Sequence, residues 1–121
     1  MDEAAHPEFE KLLRDMFAAF SAKDIETALK PLRSDVDWPI ELGKVRIHGR
    51  DAVREYWNDV WLGMNADLEP IRFTMETDKR VVVESRQRIY DDTGRVLVDH
   101  LVRFIFTFRD GLISRMDFGA I

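Results

Sequence analysis

Two polar side chains, Gln87 and His100, fall at strand positions whose alternate neighbours are mostly apolar, and they mark where this chain could do chemistry. An imidazole ordinarily titrates near neutral pH, which suits general acid-base work, and a glutamine amide can orient a carbonyl or hydroxyl without abstracting a proton. A lone histidine on an apolar face also serves as a hydrogen-bonded core or pocket residue, so both roles stay open. Trp57 and Trp61 lie one helical turn apart, and Trp38 sits in Asp37-Trp38-Pro39. Rings of this size either pack a core or line a cavity with one edge toward a ligand.

Other chemistries lack their residues. There is no cysteine, and the three histidines, His6, His48 and His100, are too far apart for metal-ligand spacing. No His-Glu-x-x-His helix, glycine-rich phosphate loop or Gly-x-Ser-x-Gly turn occurs. Asp91-Asp92 falls in a turn, where paired carboxylates ordinarily serve local hydrogen bonding. No metal and no cofactor are therefore expected. The net charge of -5, with arginines scattered rather than clustered, argues against a nucleic-acid partner. An acidic N-terminus without a basic or apolar leader, and the absence of a long apolar run, give the expectation of a cytoplasmic chain with no membrane partner.

The elements that must position these residues follow from periodicity. Phe9, Leu12, Leu13, Met16, Phe17 and Phe20 recur at helical spacing behind Pro7 and Glu8, which suit a helix start. Asp24 can cap a short second helix through Leu29, which Pro31 ends. A short strand with Asp37-Trp38-Pro39 follows, with His48 assigned to the turn before the next helix. That third helix spans 50–61, after Gly49, with Gly63 as its stop. Val53, Trp57 and Trp61 form one apolar row on it, and Ala52, Tyr56 and Val60 the adjacent one.

Beyond Asn65 the period changes to two. Ile71, Phe73 and Met75, then Val81, Val83, Ser85, Gln87 and Ile89, mark inward faces. Turns at 91–94 and 109–111 separate strands over 96–108 and 112–118. Parity sends Val102, Phe104, Phe106 and Phe108 inward with His100, and Met116 and Phe118 likewise. It sends Glu84, Arg86, Arg88, Asp99, Arg103, Arg115 and Asp117 outward, a mixed-sign set suited to cross-strand or intersubunit pairs, unless a bulge reverses the order. Leu97, Leu101, Ile105 and Ile113 share that outward parity, an apolar excess that fits a homodimer interface. Residues 1–121 make a single α+β domain, a sheet curling over helices and leaving a pocket.

The segments Phe17-Ala18-Ala19-Phe20-Ser21-Ala22-Lys23-Asp24, Val36-Asp37-Trp38-Pro39, His48-Gly49-Arg50-Asp51-Ala52-Val53 and Phe106-Thr107-Phe108-Arg109-Asp110-Gly111-Leu112-Ile113 resemble the SnoaL-like group of the nuclear transport factor 2-like superfamily. The resemblance covers nearly the whole chain. It implies a cone: a curved mixed β-sheet wrapped around three N-terminal helices, enclosing a pocket and often dimeric. Ketosteroid isomerase, scytalone dehydratase, limonene epoxide hydrolase and polyketide cyclases use this fold, as do non-catalytic binding proteins.

Ketosteroid isomerase chemistry does not transfer. Its tyrosine falls on Met16, its carboxylate base on or near Trp38, and its oxyanion-stabilising aspartate on Phe104. Asp37 is one residue from the base position and on the opposite face, and Asp99-His100 lies five residues too early to replace the aspartate. The expected site is a pocket for a small apolar or aromatic molecule, with Trp38, Trp57 and Trp61 as walls, Met16 and Phe104 as interior, and Gln87 and His100 as polar contacts. Two functions remain open. One is a cofactor-independent isomerase, cyclase or lyase that moves a proton on a carbonyl or polyketide-like substrate through His100. The other is a non-catalytic ligand-binding or dimerisation module. A second polar group within hydrogen-bond reach of His100 is the feature that separates them.

Overall fold

The computed structural model describes residues 7–40, 43–60 and 65–119. His6, Trp61 and Gly63 lie outside them. The described residues form helices α1 (Pro7–Ser21), α2 (Ile25–Leu29) and α3 (Arg50–Val60), and strands β1 (Leu32–Ile40), β2 (Val45–His48), β3 (Asn65–Thr77), β4 (Arg80–Tyr90), β5 (Val96–Arg109) and β6 (Leu112–Gly119). No helix among them is long and apolar enough to cross a membrane.

α1 buries Leu13, Met16, Phe17 and Ala19, and its exposed side carries the i,i+4 pairs Lys11–Asp15 and Glu10–Arg14. Its end is closed by reversed hydrogen bonds, Lys23 N–H to the Phe20 carbonyl and Asp24 N–H to the Ala19 carbonyl, which place Lys23 at a φ of 60°. Asp24 then caps α2 by accepting from Thr27 N–H at 3.3 Å. α3 follows a turn in which Gly49, at a φ of 95°, donates its N–H to the Val36 carbonyl. Arg54 clamps α3 to α2 through Glu26 at 2.9 Å.

The strands form one mixed sheet in the order β2-β1-β6-β5-β4-β3, with β1 parallel to β6 and the other neighbours antiparallel. The sheet curves over the helices as an unclosed cone. Its inner face meets α1 and α3 in a single core where Phe9 stacks on Phe108 with ring centroids 4.1 Å apart, and Phe17 meets Phe104 edge-on at 5.8 Å. The β1 strand is longer than the short segment expected, and β2 was not anticipated because only four residues form it. His48 accordingly ends β2 rather than serving only the turn, its exposed imidazole 3.7 Å from Asp37.

Bulges correct two faces. In β6 the extra residue Ser114 lies between the pairs Thr107↔Arg115 and Phe108↔Ile113, and its Oγ donates to the Thr107 carbonyl at 3.1 Å. Ile113, outward by strict alternation, therefore turns inward and is fully buried. In β3 the extra residue is Ile71, between Pro70↔Ser85 and Arg72↔Glu84. Ile71 is 55% exposed instead of joining Phe73 inside. Pro70 has no N–H to donate to the ladder, which suits a bulge on an edge strand. By contrast, β4 and β5 keep one register from Arg80↔Thr107 to Ile89↔Val98, so parity around His100 holds.

Candidate functional site

The inner face of the sheet and the two longer helices line an open cavity of about 500 Å³. α1 contributes Met16, Phe17 and Phe20, and α3 contributes Tyr56 and Trp57. Trp38 enters from β1, Leu68 from β3, Gln87 from β4, His100 and Phe104 from β5, and Met116 and Phe118 from β6. The six described members of the expected site, Met16, Trp38, Trp57, Gln87, His100 and Phe104, thus surround one space. Trp61, expected as a third aromatic wall, lies outside the described residues.

The tryptophans combine both roles weighed for them. Trp38 and Trp57 are buried in the core yet border the cavity, and their rings meet edge-on at 5.5 Å. Phe20 abuts Trp57 in the same way at 5.3 Å. Each ring is thus braced by another. The Ser21 hydroxyl accepts from Leu68 N–H at 2.9 Å, tying the end of α1 to β3 where Leu68 reaches the cavity.

The polar and charged lining comes from the adjacent strands β4 and β5, as Gln87, His100 and Arg103. Gln87 and His100 are direct cross-strand partners, and Gln87 Oε1 lies 2.8 Å from His100 Nε2. Gln87 is half-buried, whereas His100 is exposed, which places the pair at the rim rather than in the depth of the cavity. Met16, Trp38 and Phe104, the residues on which the resemblance to ketosteroid isomerase would set its three polar groups, all lie on the apolar wall. Asp37 faces away from Trp38 and is consumed by Arg46 at 2.7 Å and Arg115 at 3.0 Å.

On the outer face the charged residues are paired as strand alternation anticipates. Arg86 holds Asp99 through two contacts of 2.8 and 2.7 Å, and this hydrogen bonding keeps the Asp99 carboxyl below its ordinary range. Arg103 meets Glu84 at 2.7 Å. The Asp117 carboxyl is likewise lowered, first by Arg115 and also by Arg46. Tyr90 donates to Asp67 at 2.9 Å, which raises the phenol above its usual value. Among the described residues no group of three or more His, Asp or Glu side chains is placed to hold a metal.

Several cavity residues were not singled out from the sequence. Tyr56 and Phe20 were assigned only to helix faces, although each shares a helix with an expected wall residue. Pro39, inside the expected strand, and Ile40, where β1 ends, join the lining. Leu68 is inward because it precedes the Ile71 bulge and pairs with Gln87, a relation alternation counted from Ile71 cannot reveal.

No curated protein sequence matches the chain. Solved structures with the same fold are numerous. A candidate polyketide cyclase from Xanthomonas campestris is 22% identical, with 94% of this chain and 90% of that chain covered at a TM-score of 0.80. A nuclear transport factor 2-like protein of unknown function from Burkholderia pseudomallei is also 22% identical, with 96% and 92% covered and a TM-score of 0.80. TerC, crystallised with polyporic acid, is 25% identical, with 96% and 92% covered and a TM-score of 0.78. The SnoaL-like domain profile matches residues 13–116, from the buried face of α1 to Met116 in β6, and the chain belongs to the SnoaL-like family.

Proposed function

We propose that this domain binds a small, largely apolar or aromatic carbonyl compound in its cavity and moves a proton on it, with His100 as acid or base. The observation that carries the proposal is the 2.8 Å contact between Gln87 Oε1 and His100 Nε2 on a wall that is aromatic and aliphatic apart from Arg103. It supplies a second polar group within hydrogen-bond reach of His100, which supports a proton-transfer site over a lone structural histidine. A volume near 500 Å³ suits a ligand of two or three rings. Likeness to a candidate polyketide cyclase, and to a protein crystallised with polyporic acid, supports a cyclase, isomerase or lyase class. Cofactor-independent chemistry and a cytoplasmic location belong to the same proposal.

The alternative, a non-catalytic binding or dimerisation module, draws support from the exposure of His100 and from Leu97 and Leu101, 49% and 59% exposed on the outer face. A homodimer through that face is compatible with either function. The binding half of the proposal is tested by titrating the protein with 1-tetralone, a two-ring ketone, and following tryptophan fluorescence. Saturable quenching is expected, and Leu68→Trp, which fills the cavity from β3, should abolish it while circular dichroism stays unchanged. Linear quenching alike in both proteins would contradict a ligand site.

A further inference from the structure

The contact between Gln87 and His100 has a direction. The glutamine atom that meets the imidazole is the carbonyl oxygen Oε1, and a carbonyl oxygen can only accept. With Oε1 facing the ring, His100 Nε2 carries the hydrogen, which leaves the lone pair of the neutral ring on Nδ1. The same bond leaves both hydrogens of the Gln87 amide nitrogen unused by His100. The two residues face each other across β4 and β5 in an unbroken register, and both border the cavity. One glutamine thus fixes which ring nitrogen is basic and keeps amide donors of its own for another partner.

We propose that Gln87 is the positioning residue of the site. Its Oε1 holds His100 in the Nε2–H form, so that Nδ1 is the proton-accepting atom, and its amide N–H groups receive the carbonyl oxygen of the ligand. This inference rests on the reading that the ligand is an enolisable carbonyl compound, and it adds the atoms. Nδ1 takes the proton from the carbon next to the carbonyl. The electron pair of that C–H bond becomes the carbon–carbon double bond of an enolate, and the carbonyl π pair moves onto oxygen. The negative charge developing there meets the Gln87 N–H, while the imidazolium keeps its Nε2–H bond to Oε1. In a β,γ-unsaturated substrate the enolate is a dienolate: as the oxygen pair re-forms the carbonyl and the double bond moves to the α,β position, the β,γ pair takes the proton from Nδ1 at the γ-carbon, completing an isomerisation with no oxidant, reductant or added group.

The test separates the two jobs of the amide. Gln87→Glu keeps an acceptor for Nε2–H and removes the N–H donors, whereas Gln87→Leu removes both. Long-range proton–nitrogen correlation spectra of the 15N-labelled full chain, recorded with the ring neutral, report the tautomer. Binding of 1-tetralone reports the donor. The Nε2–H form is expected alone in the wild type and in Gln87→Glu, with a tautomer mixture in Gln87→Leu. Affinity for 1-tetralone should fall about 3- to 10-fold in both variants, the effect of one neutral hydrogen bond. A wild-type ring in the Nδ1–H form, or a tautomer unchanged in Gln87→Leu, would overturn the positioning role. An Nε2–H ring in a wild type that does not bind 1-tetralone would instead overturn the ligand reading and the donor role built on it.

Discussion

Truncating Ile113 to alanine should be among the most damaging aliphatic changes in the sheet, although alternation counted along β6 puts this residue on the outside. Ile113 is 0% exposed because Ser114 bulges out of the ladder and returns the strand to the core one residue early. Ile113→Ala deletes three methyl or methylene groups, and at about 0.8 kcal/mol each their transfer alone is worth roughly 2.4 kcal/mol. The space left behind adds to this, since neighbours in a packed core relax only partly, and the total should reach about 3–4 kcal/mol. That is a large part of the about 5–15 kcal/mol available to a domain. Ile105→Ala makes the same deletion on the half-buried outer face opposite Asp117 and should cost about 1 kcal/mol. Urea unfolding measures both. With a slope of about 1.5–2 kcal/mol per molar, the Ile113 variant should lose roughly 2 M in midpoint and the Ile105 variant roughly 0.5 M. Equal losses, or an Ile113 loss below about 1 kcal/mol, would show that the bulge and the inward turn derived from it are wrong.

Lys23, held at a φ of 60° past the end of α1, should yield a more stable protein as Lys23→Gly, by about 0.5–1 kcal/mol in the same urea assay; destabilisation would contradict the left-handed cap. Asp117 has a folded-state value depressed by Arg115 and Arg46, so its stabilising contribution is complete above the unfolded carboxylate value near ~3.9 and is lost as pH falls through the lower folded value. Asp117→Asn should therefore flatten the acid limb of stability between about pH 5 and 2, and an unchanged acid limb would remove Asp117 from the network. For the proposed outer-face homodimer, light scattering at micromolar concentration should give twice the 14.2 kDa chain mass, with Leu101→Lys reverting to the monomer. A monomeric wild type would contradict that interface.

Much of the positioning was legible in the sequence because it depends on short-range regularities. The apolar spacing from Phe9 to Phe20, the Asp24 cap and the alternation from Val81 to Gln87 each record a local periodicity that the fold preserves. Gln87 and His100 could be placed on one face for the same reason, since the register between β4 and β5 is uninterrupted around them. Their contact was not legible. Cross-strand register is set by the whole hairpin, including the extra residue Leu97 between the pairs Ile89↔Val98 and Tyr90↔Val96. The faces of Ile71 and Ile113 were misread because one inserted residue reverses parity without disturbing composition. β2 escaped notice because four residues carry too little periodicity to separate a strand from a loop.

In the proposed function, His100 moves a proton on a ligand held by the aromatic wall. Exchange of the α-protons of 1-tetralone for deuterium in buffered D2O, followed by proton NMR, tests it without knowledge of the natural substrate. The wild-type protein should accelerate exchange above the buffer rate, and His100→Gln should remove about 100-fold or more of that acceleration while still binding the ketone, since glutamine cannot accept the proton. Saturable binding of 1-tetralone with exchange no faster than in buffer, or an acceleration that survives intact in His100→Gln, would contradict the claim.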